Sequence, residues 1–199
     1  MNTPDPSYHG AVWSQAVKGL GPLAYILKMR VTLLRDLGAA MSPFNAFLFL
    51  QGIETLPLRM REHSRNTLAV ANFLAGRKDV TRVIHPAHHT GFGAERTAKY
   101  MAHGQGGLVG FELAGGAEAG RKFIDALQLF YHVANIGDAR SLAIHPATTT
   151  HSQLSPEEQL ATGVTDNYVR LSIGLEHIDD ILGDLSQALE AATQAKAAE

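Results

Sequence analysis

Three stretches of the chain carry residue types that could do chemistry. The first is Tyr168-Val169-Arg170-Leu171-Ser172-Ile173-Gly174-Leu175-Glu176. Val169, Leu171 and Ile173 alternate with Tyr168, Arg170 and Ser172, and a period of two predicts a strand with one face on a core. The other face then carries a guanidinium between a phenol and a hydroxyl. An arginine so placed is either solvated, the commoner fate of that residue, or aimed into a cleft. In a cleft its planar fork matches a carboxylate bidentately, which lysine cannot do. The second stretch is the Pro-containing loop with His85, His88 and His89. A zinc site takes three or four protein ligands, and no carboxylate or cysteine is spaced nearby to complete a shell, so no metal is expected. No Gly-x-Ser-x-Gly elbow pairs a histidine with a nucleophile. The third is Gly115-Gly116-Ala117-Glu118-Ala119-Gly120-Arg121-Lys122. It follows a strand and opens a helix, as a phosphate-binding loop does, but that motif needs Lys and then Ser or Thr after its second key glycine. Arg121 and Lys122 stand there instead, so the stretch reads as a turn followed by a surface basic pair.

The elements that hold these stretches follow from periodicity. Residues 1–21 read as a loop with one helical turn around Val12 to Lys18, and such a start resembles the middle of a chain. Pro22 suits a first helical turn, Leu23, Leu27, Leu34 and Leu37 recur at helical spacing, and Gly38 is a left-handed stop. A second helix opens at Ser42-Pro43 with the hydroxyl as cap. Its Ala46-Phe47-Leu48-Phe49-Leu50 run is apolar all round, which predicts burial on several sides. Gly52 to Pro57 interrupts the pattern, and a further helix runs to about Ala75 with Met60, Thr67, Ala71 and Leu74 along one stripe. Strands are expected at Val80–Ile84, Gly107–Leu113, Phe130–Asn135 and Leu142–Ile144. Helices are expected at Glu95–Ala102 and Ala117–Leu127, and after the capping box at Ser155-Pro156-Glu157-Glu158. Ile178, Ile181, Leu182, Leu185 and Leu189 line the terminal helix, whose Ala-rich end, 191–199, is expected to fray. Short half-buried strands mixed with helices argue for an α+β domain whose mainly antiparallel sheet is covered by helices on one face.

Composition bounds the function. The 199 residues are 45% apolar and 18% charged, an ordinary globular balance. A net charge of −2 gives no electrostatic reason to expect nucleic acid or an anionic membrane. The absence of cysteine excludes disulfides, thiolate metal sites and cysteine nucleophiles. Met1–Pro6 lacks the pattern of a signal peptide, and Phe44–Leu50 is too short to span a bilayer. A soluble, cytoplasmic protein without membrane or nucleic-acid partners is expected.

The Arg170 strand and Ala134-Asn135-Ile136-Gly137-Asp138-Ala139-Arg140-Ser141-Leu142-Ala143-Ile144-His145-Pro146-Ala147-Thr148-Thr149-Thr150-His151-Ser152 together resemble the C-terminal signature of the Cys/Met-metabolism family of pyridoxal-phosphate (PLP) enzymes. Tyr8-His9-Gly10, Leu33–Ala39, Ser42–Phe47 and Gly52–Leu56 resemble landmarks of its O-acetylhomoserine sulfhydrylase subgroup (O-acetylhomoserine aminocarboxypropyltransferase), and Asn135–Asp138 favours that subgroup. The resemblance covers essentially the whole chain, but only about the C-terminal half of such an enzyme. It implies that residues 1–55 end the large PLP-binding domain and its linker helix, and that 56–199 form the small substrate domain of fold-type I PLP transferases. It implies that Arg170 forks onto the α-carboxylate of an amino-acid substrate, flanked by Asn135, where many relatives carry serine, and Thr150.

The same resemblance implies a transferase of methionine biosynthesis, making homocysteine or methionine from O-acetylhomoserine and sulfide or a thiol. The cofactor would be PLP, and its lysine is expected upstream of this chain. None of Lys18, Lys28, Lys78, Lys99, Lys122 or Lys196 has the family's Ser-x-x-Lys setting. No cofactor-binding or catalytic residue is therefore assigned within the chain, which is expected to be inactive by itself. The expected partners are an N-terminal PLP-binding half, or self-association, within a homotetramer when complete. Two alternatives stand beside this reading: a cystathionine synthase or lyase of the same fold, and a non-catalytic module that needs an N-terminal partner.

Overall fold

A computed structural model describes residues 1–194. The fraying expected at 191–199, like Lys196, falls mostly outside the described residues. Two compact units divide the chain, Met1–Glu54 and the residues from Thr55 onward.

In the first unit a short helix α1 (Trp13–Ala16) precedes α2 (Ala24–Lys28), which continues as a wider π-type turn over Met29–Asp36. Gly38 ends it with φ +71°, as its lack of a Cβ allows. Two aspartates tie the segments together. Asp5 accepts from the Trp13 indole at 2.8 Å and pairs with Lys28 at 2.8 Å, and the Tyr8 hydroxyl donates to Asp36. Ser42 Oγ accepts from Asn45 N at 3.1 Å, opening α3 (Pro43–Glu54). The helix passes through Gly52 and breaks only at Thr55, so the expected interruption is shorter than Gly52–Pro57. The expected burial is also absent: no residue of α3 is buried.

The second unit runs α4 (Leu56–Ala75), β1 (Val80–Ile84), α5 (Phe92–Tyr100), β2 (Leu108–Leu113), α6 (Gly116–Ala126), β3 (Tyr131–His132), β4 (Leu142–Ile144), α7 (Pro156–Ala161), β5 (Tyr168–Ser172) and α8 (Ile178–Gln194). One five-stranded sheet has the order β1-β2-β5-β4-β3. Its first three pairings are antiparallel and β4–β3 is parallel. This is the α+β, mainly antiparallel arrangement expected. One sheet face presents Val109, Phe111, Leu113, Ala143, Val169, Leu171 and Ile173 to Val70, Ala71 and Leu74 of α4, Phe123 of α6, and Ile181, Leu185 and Leu189 of α8. By alternation the opposite face carries Tyr168, Arg170 and Ser172.

Two sequence readings need correction. On α4, Met60 is exposed and the inward stripe instead contains His63, Asn66, Thr67, Val70, Ala71 and Leu74. His63 and Asn66 go inside because they meet main-chain carbonyls far along the chain: His63 Nδ1 donates to Ile173 O at 2.7 Å, and Asn66 Nδ2 to Glu176 O at 3.1 Å. The strand expected over Phe130–Asn135 pairs only at Tyr131–His132, and residues 131–140 lie at the surface. The capping box at Ser155 forms as read, with both reciprocal hydrogen bonds.

Gly120 of α6 shows why a helix interior sometimes tolerates glycine. A Cβ there would lie 2.6 Å from His145 Nε2. His145 cannot retreat, because Nε2 donates to Asp166 O at 2.8 Å and Nδ1 lies 2.9 Å from Thr148 Oγ1. Alanine ordinarily gains about 1 kcal/mol over glycine in a helix, whereas overpacking costs about 1–3 kcal/mol. Gly120→Ala is expected to lower the melting temperature; a rise would mean that the ring has room to move.

Candidate functional site

Arg170 sits on the central strand of the sheet, opposite Gly110 of β2 and Ile144 of β4. An edge position, which would favour a solvated arginine, is thus excluded. Gly110 leaves space beside it, and the Tyr168 ring fills that space: a Cβ at Gly110 would come within 2.5 Å of Tyr168 Cε2 and 2.6 Å of its hydroxyl. Burial raises the Tyr168 pKa, the neighbouring Arg170 cation pulls it down, and Glu112 pushes it up, with a net upward shift. At neutral pH the phenol keeps its proton and can donate a hydrogen bond.

The guanidinium is half-buried. Nη2 donates to the carbonyls of Ala134 at 3.1 Å and Asn135 at 3.3 Å. Nε is buried with no partner among the described residues. Leaving a buried donor unpaired costs about 1–3 kcal/mol, and an incoming oxygen ligand would recover that. Two tight anchors hold the segment that reaches Arg170. Gly137 N donates to Ser172 Oγ at 3.1 Å. Beyond it, Ser141 N and Oγ donate to the two Glu176 oxygens at 2.6 and 2.9 Å, Gly174 N donates to Ser141 Oγ at 2.9 Å, and Leu175 N to Ala139 O at 2.8 Å. Gly174 has no room for a side chain: a Cβ would meet Glu176 Oε2, Ser141 N and Ala139 O, the latter two at 2.5 and 2.6 Å.

Of the residues singled out in sequence, Asn135 is therefore brought to Arg170, through its carbonyl, while its side chain is exposed. Thr150 makes its hydrogen bond with neighbouring His151, Oγ1 to Nδ1 at 2.9 Å, rather than with Arg170. Sequence reasoning missed Ser141 and Glu176. The only signal was an acid two residues after a glycine at the end of an apolar strand. It also missed His63 and Asn66, whose partners are more than a hundred residues away.

The other two chemical stretches resolve as structure. Gly115 and Gly116, with φ +113° and +70°, make the turn into α6, and Arg121 and Lys122 both reach Glu118 on the surface. His85 is buried and its Nδ1 accepts from Ala87 N at 3.2 Å. His88 and His89 line a cleft of about 550 Å³ with Arg82 and Thr90. Among the described residues no group of three or more His, Cys, Asp or Glu is arranged to hold a metal. Burial depresses the pKa of His85, with His88 and His89 acting in the same direction. His145 is likewise depressed, chiefly by burial. Both therefore bind protons more readily in the unfolded chain, and stability falls as pH drops through and below their ordinary value of 6.5. The urea midpoint is expected to be lower at pH 5 than at pH 7.5. A flat profile between these values would mean that both rings protonate freely in the folded state.

Residues 10–190 match the family model described as Cys/Met metabolism PLP-dependent enzyme. The chain belongs to that family. An O-acetyl-L-homoserine sulfhydrylase of Leptospira meyeri is 53% identical, aligned over 94% of this chain and 44% of its own length. The L-methionine gamma-lyase of Pseudomonas putida is 44% identical over 93% of this chain and 46% of its own length. A crystal structure of a Campylobacter jejuni protein assigned as O-acetylhomoserine (thiol)-lyase, containing pyridoxyl-lysine phosphate, superposes with a TM-score of 0.79 at 46% identity, covering 95% of this chain and 44% of that one. The chain thus spans less than half the length of these relatives.

The Cys/Met metabolism family is PLP-dependent, and that cofactor calls for a lysine as its covalent anchor. None of the five lysines among the described residues is buried. Lys28 is paired with Asp5, Lys122 reaches Glu118, and Lys99 lies over the Tyr100 ring. These five amines, exposed or half-buried, do not fit the cofactor's covalent anchor among the described residues. No helix among them is long and apolar enough to cross a membrane.

Proposed function

We propose that these residues form the C-terminal part of a PLP-dependent O-acetylhomoserine sulfhydrylase that makes homocysteine or methionine from O-acetylhomoserine and sulfide or a thiol. The observation that carries the reading is Arg170, central in the sheet, with a buried Nε that lacks a partner among the described residues. Its part is to hold the substrate α-carboxylate and so fix the orientation of the γ-carbon from which acetate leaves. Asn135 acts through the segment that meets Nη2, and Thr150 contributes through its backbone or through its hydroxyl, which His151 holds here. When bound, PLP supplies the electron sink for chemistry beside the amino group. Tyr168, protonated at neutral pH, offers a neutral donor next to the grip.

On this reading residues 1–55 close the large cofactor domain and 56–199 are the small substrate domain. The partner is the preceding PLP-binding part, and the complete protein is a cytoplasmic homotetramer. The sulfhydrylase reading is favoured over a lyase by the relatives' names, at 53% and 47% identity against 44%. The test supplies the chain with the N-terminal portion of the Leptospira meyeri relative, separately or joined. Release of acetate from O-acetylhomoserine, dependent on PLP and on sulfide, is the expected result. Ammonia and a keto acid released without any need for sulfide would favour the lyase instead.

A further inference from the structure

We propose that Ser172 is a positioning residue for Arg170, acting through the 134–137 segment. The proposal rests on reading Arg170 as the carboxylate grip. A guanidinium can fork onto a carboxylate along either of two edges, and Nη2 belongs to both. That nitrogen is engaged by the Ala134 and Asn135 carbonyls. Where those carbonyls sit therefore sets the rotation of the guanidinium plane and the direction of its remaining N–H groups. The carbonyls themselves are on an exposed stretch without strand pairing between His132 and Leu142.

Among the described residues, Val133 N donates locally to Tyr131 O of β3 at 3.0 Å, and beyond Arg170 the tie of 134–138 to the sheet is Gly137 N to Ser172 Oγ, at 3.1 Å. Ser172 is buried and lies on the same strand face as Arg170, two residues along. Gly137 adopts φ +78°, a conformation that suits glycine and turns the chain so that its N–H meets the hydroxyl. Downstream, the Ser141–Glu176 clamp fixes the segment's far end, so slack between 133 and 138 is limited by Ser172. Gly137 is exposed, so water can take its N–H if the hydroxyl is removed. The fold then survives while the segment slackens.

The test uses Ser172→Ala and Ser172→Thr in the assembled enzyme, with amide exchange of Gly137 followed in the chain itself. Ser172→Ala is expected to speed Gly137 exchange and to raise KM for the amino-acid substrate about fivefold with kcat nearly constant, the pattern of lost binding rather than lost chemistry. The melting temperature should hold, and Ser172→Thr, which keeps the hydroxyl, should restore KM. A KM within twofold of the parent in Ser172→Ala, or one that rises only together with a loss of thermal stability, overturns the proposal. Arg170→Lys run in parallel separates the two readings. If it raises KM while Ser172→Ala is silent, the positioning role alone falls; if neither changes KM, the carboxylate grip falls as well.

Discussion

Arg170→Lys is expected to reduce kcat/KM for the amino-acid substrate on the order of tenfold to a hundredfold, although the charge is kept. Losing a charge-assisted hydrogen bond costs about 1.5–3 kcal/mol, and lysine replaces a planar fork by a single rotating ammonium. A second loss compounds the first. Nη2 holds the carbonyls of Ala134 and Asn135, and the shorter reach of one ammonium cannot serve both these carbonyls and a ligand. Steady-state kinetics in the assembled enzyme measure the effect. An unchanged kcat/KM would remove Arg170 from the site, whatever the family resemblance implies.

The other large effect concerns α3. Phe44, Phe47, Leu48, Phe49, Leu50 and Ile53 are between 51% and 68% exposed. Full burial of one such side chain is worth roughly 1.5–3 kcal/mol, so covering six would recover up to about 9–18 kcal/mol. That rivals the entire stability of an ordinary domain, roughly 5–15 kcal/mol. A helix that is apolar all round belongs inside a larger body. The chain by itself is therefore expected to self-associate and to bind an apolar dye, and Phe47→Glu with Leu50→Glu to reduce both. Adding the N-terminal portion of the Leptospira meyeri relative, the kind of cover we infer for this helix, should replace open-ended association by a defined assembly. Light scattering from a clean monomer at every concentration, with no dye bound, would mean that these side chains find cover within the chain.

Much of the second unit was legible because its signals are local. The period of two in Val169, Leu171 and Ile173 needs no partner to be read, and all three are fully buried. The capping box at Ser155 is complete within four residues. Illegible parts depend on partners distant in sequence. Met60 looked equivalent to Leu74 along the helical stripe, but the sheet end receives His63 and Asn66, whose carbonyl partners lie at 173–176. Val133–Asn135 looked like the continuation of a strand, yet these residues leave the sheet and Ala134 and Asn135 cross to Arg170. Composition cannot tell a ladder carbonyl from one taken by a guanidinium. Asn135 and Thr150 entered through family resemblance alone, since neither stands in a pattern that spacing would select.

The central place of β5 bears on how the chain is made. β1 and β2 can pair as soon as residue 113 has been synthesised, and β3 and β4 once residue 144 has. Among the described residues these two pairs are not strand neighbours, and Tyr168–Ser172 lies between β2 and β4. A nascent chain paused before Tyr168 on the ribosome thus holds two separate ribbons with unpaired inner edges, a state prone to wrong pairing. Closure waits for β5, and that strand is the one that carries Arg170. Sheet completion and delivery of the guanidinium are one event, so a protein that has closed its sheet has already installed this arginine.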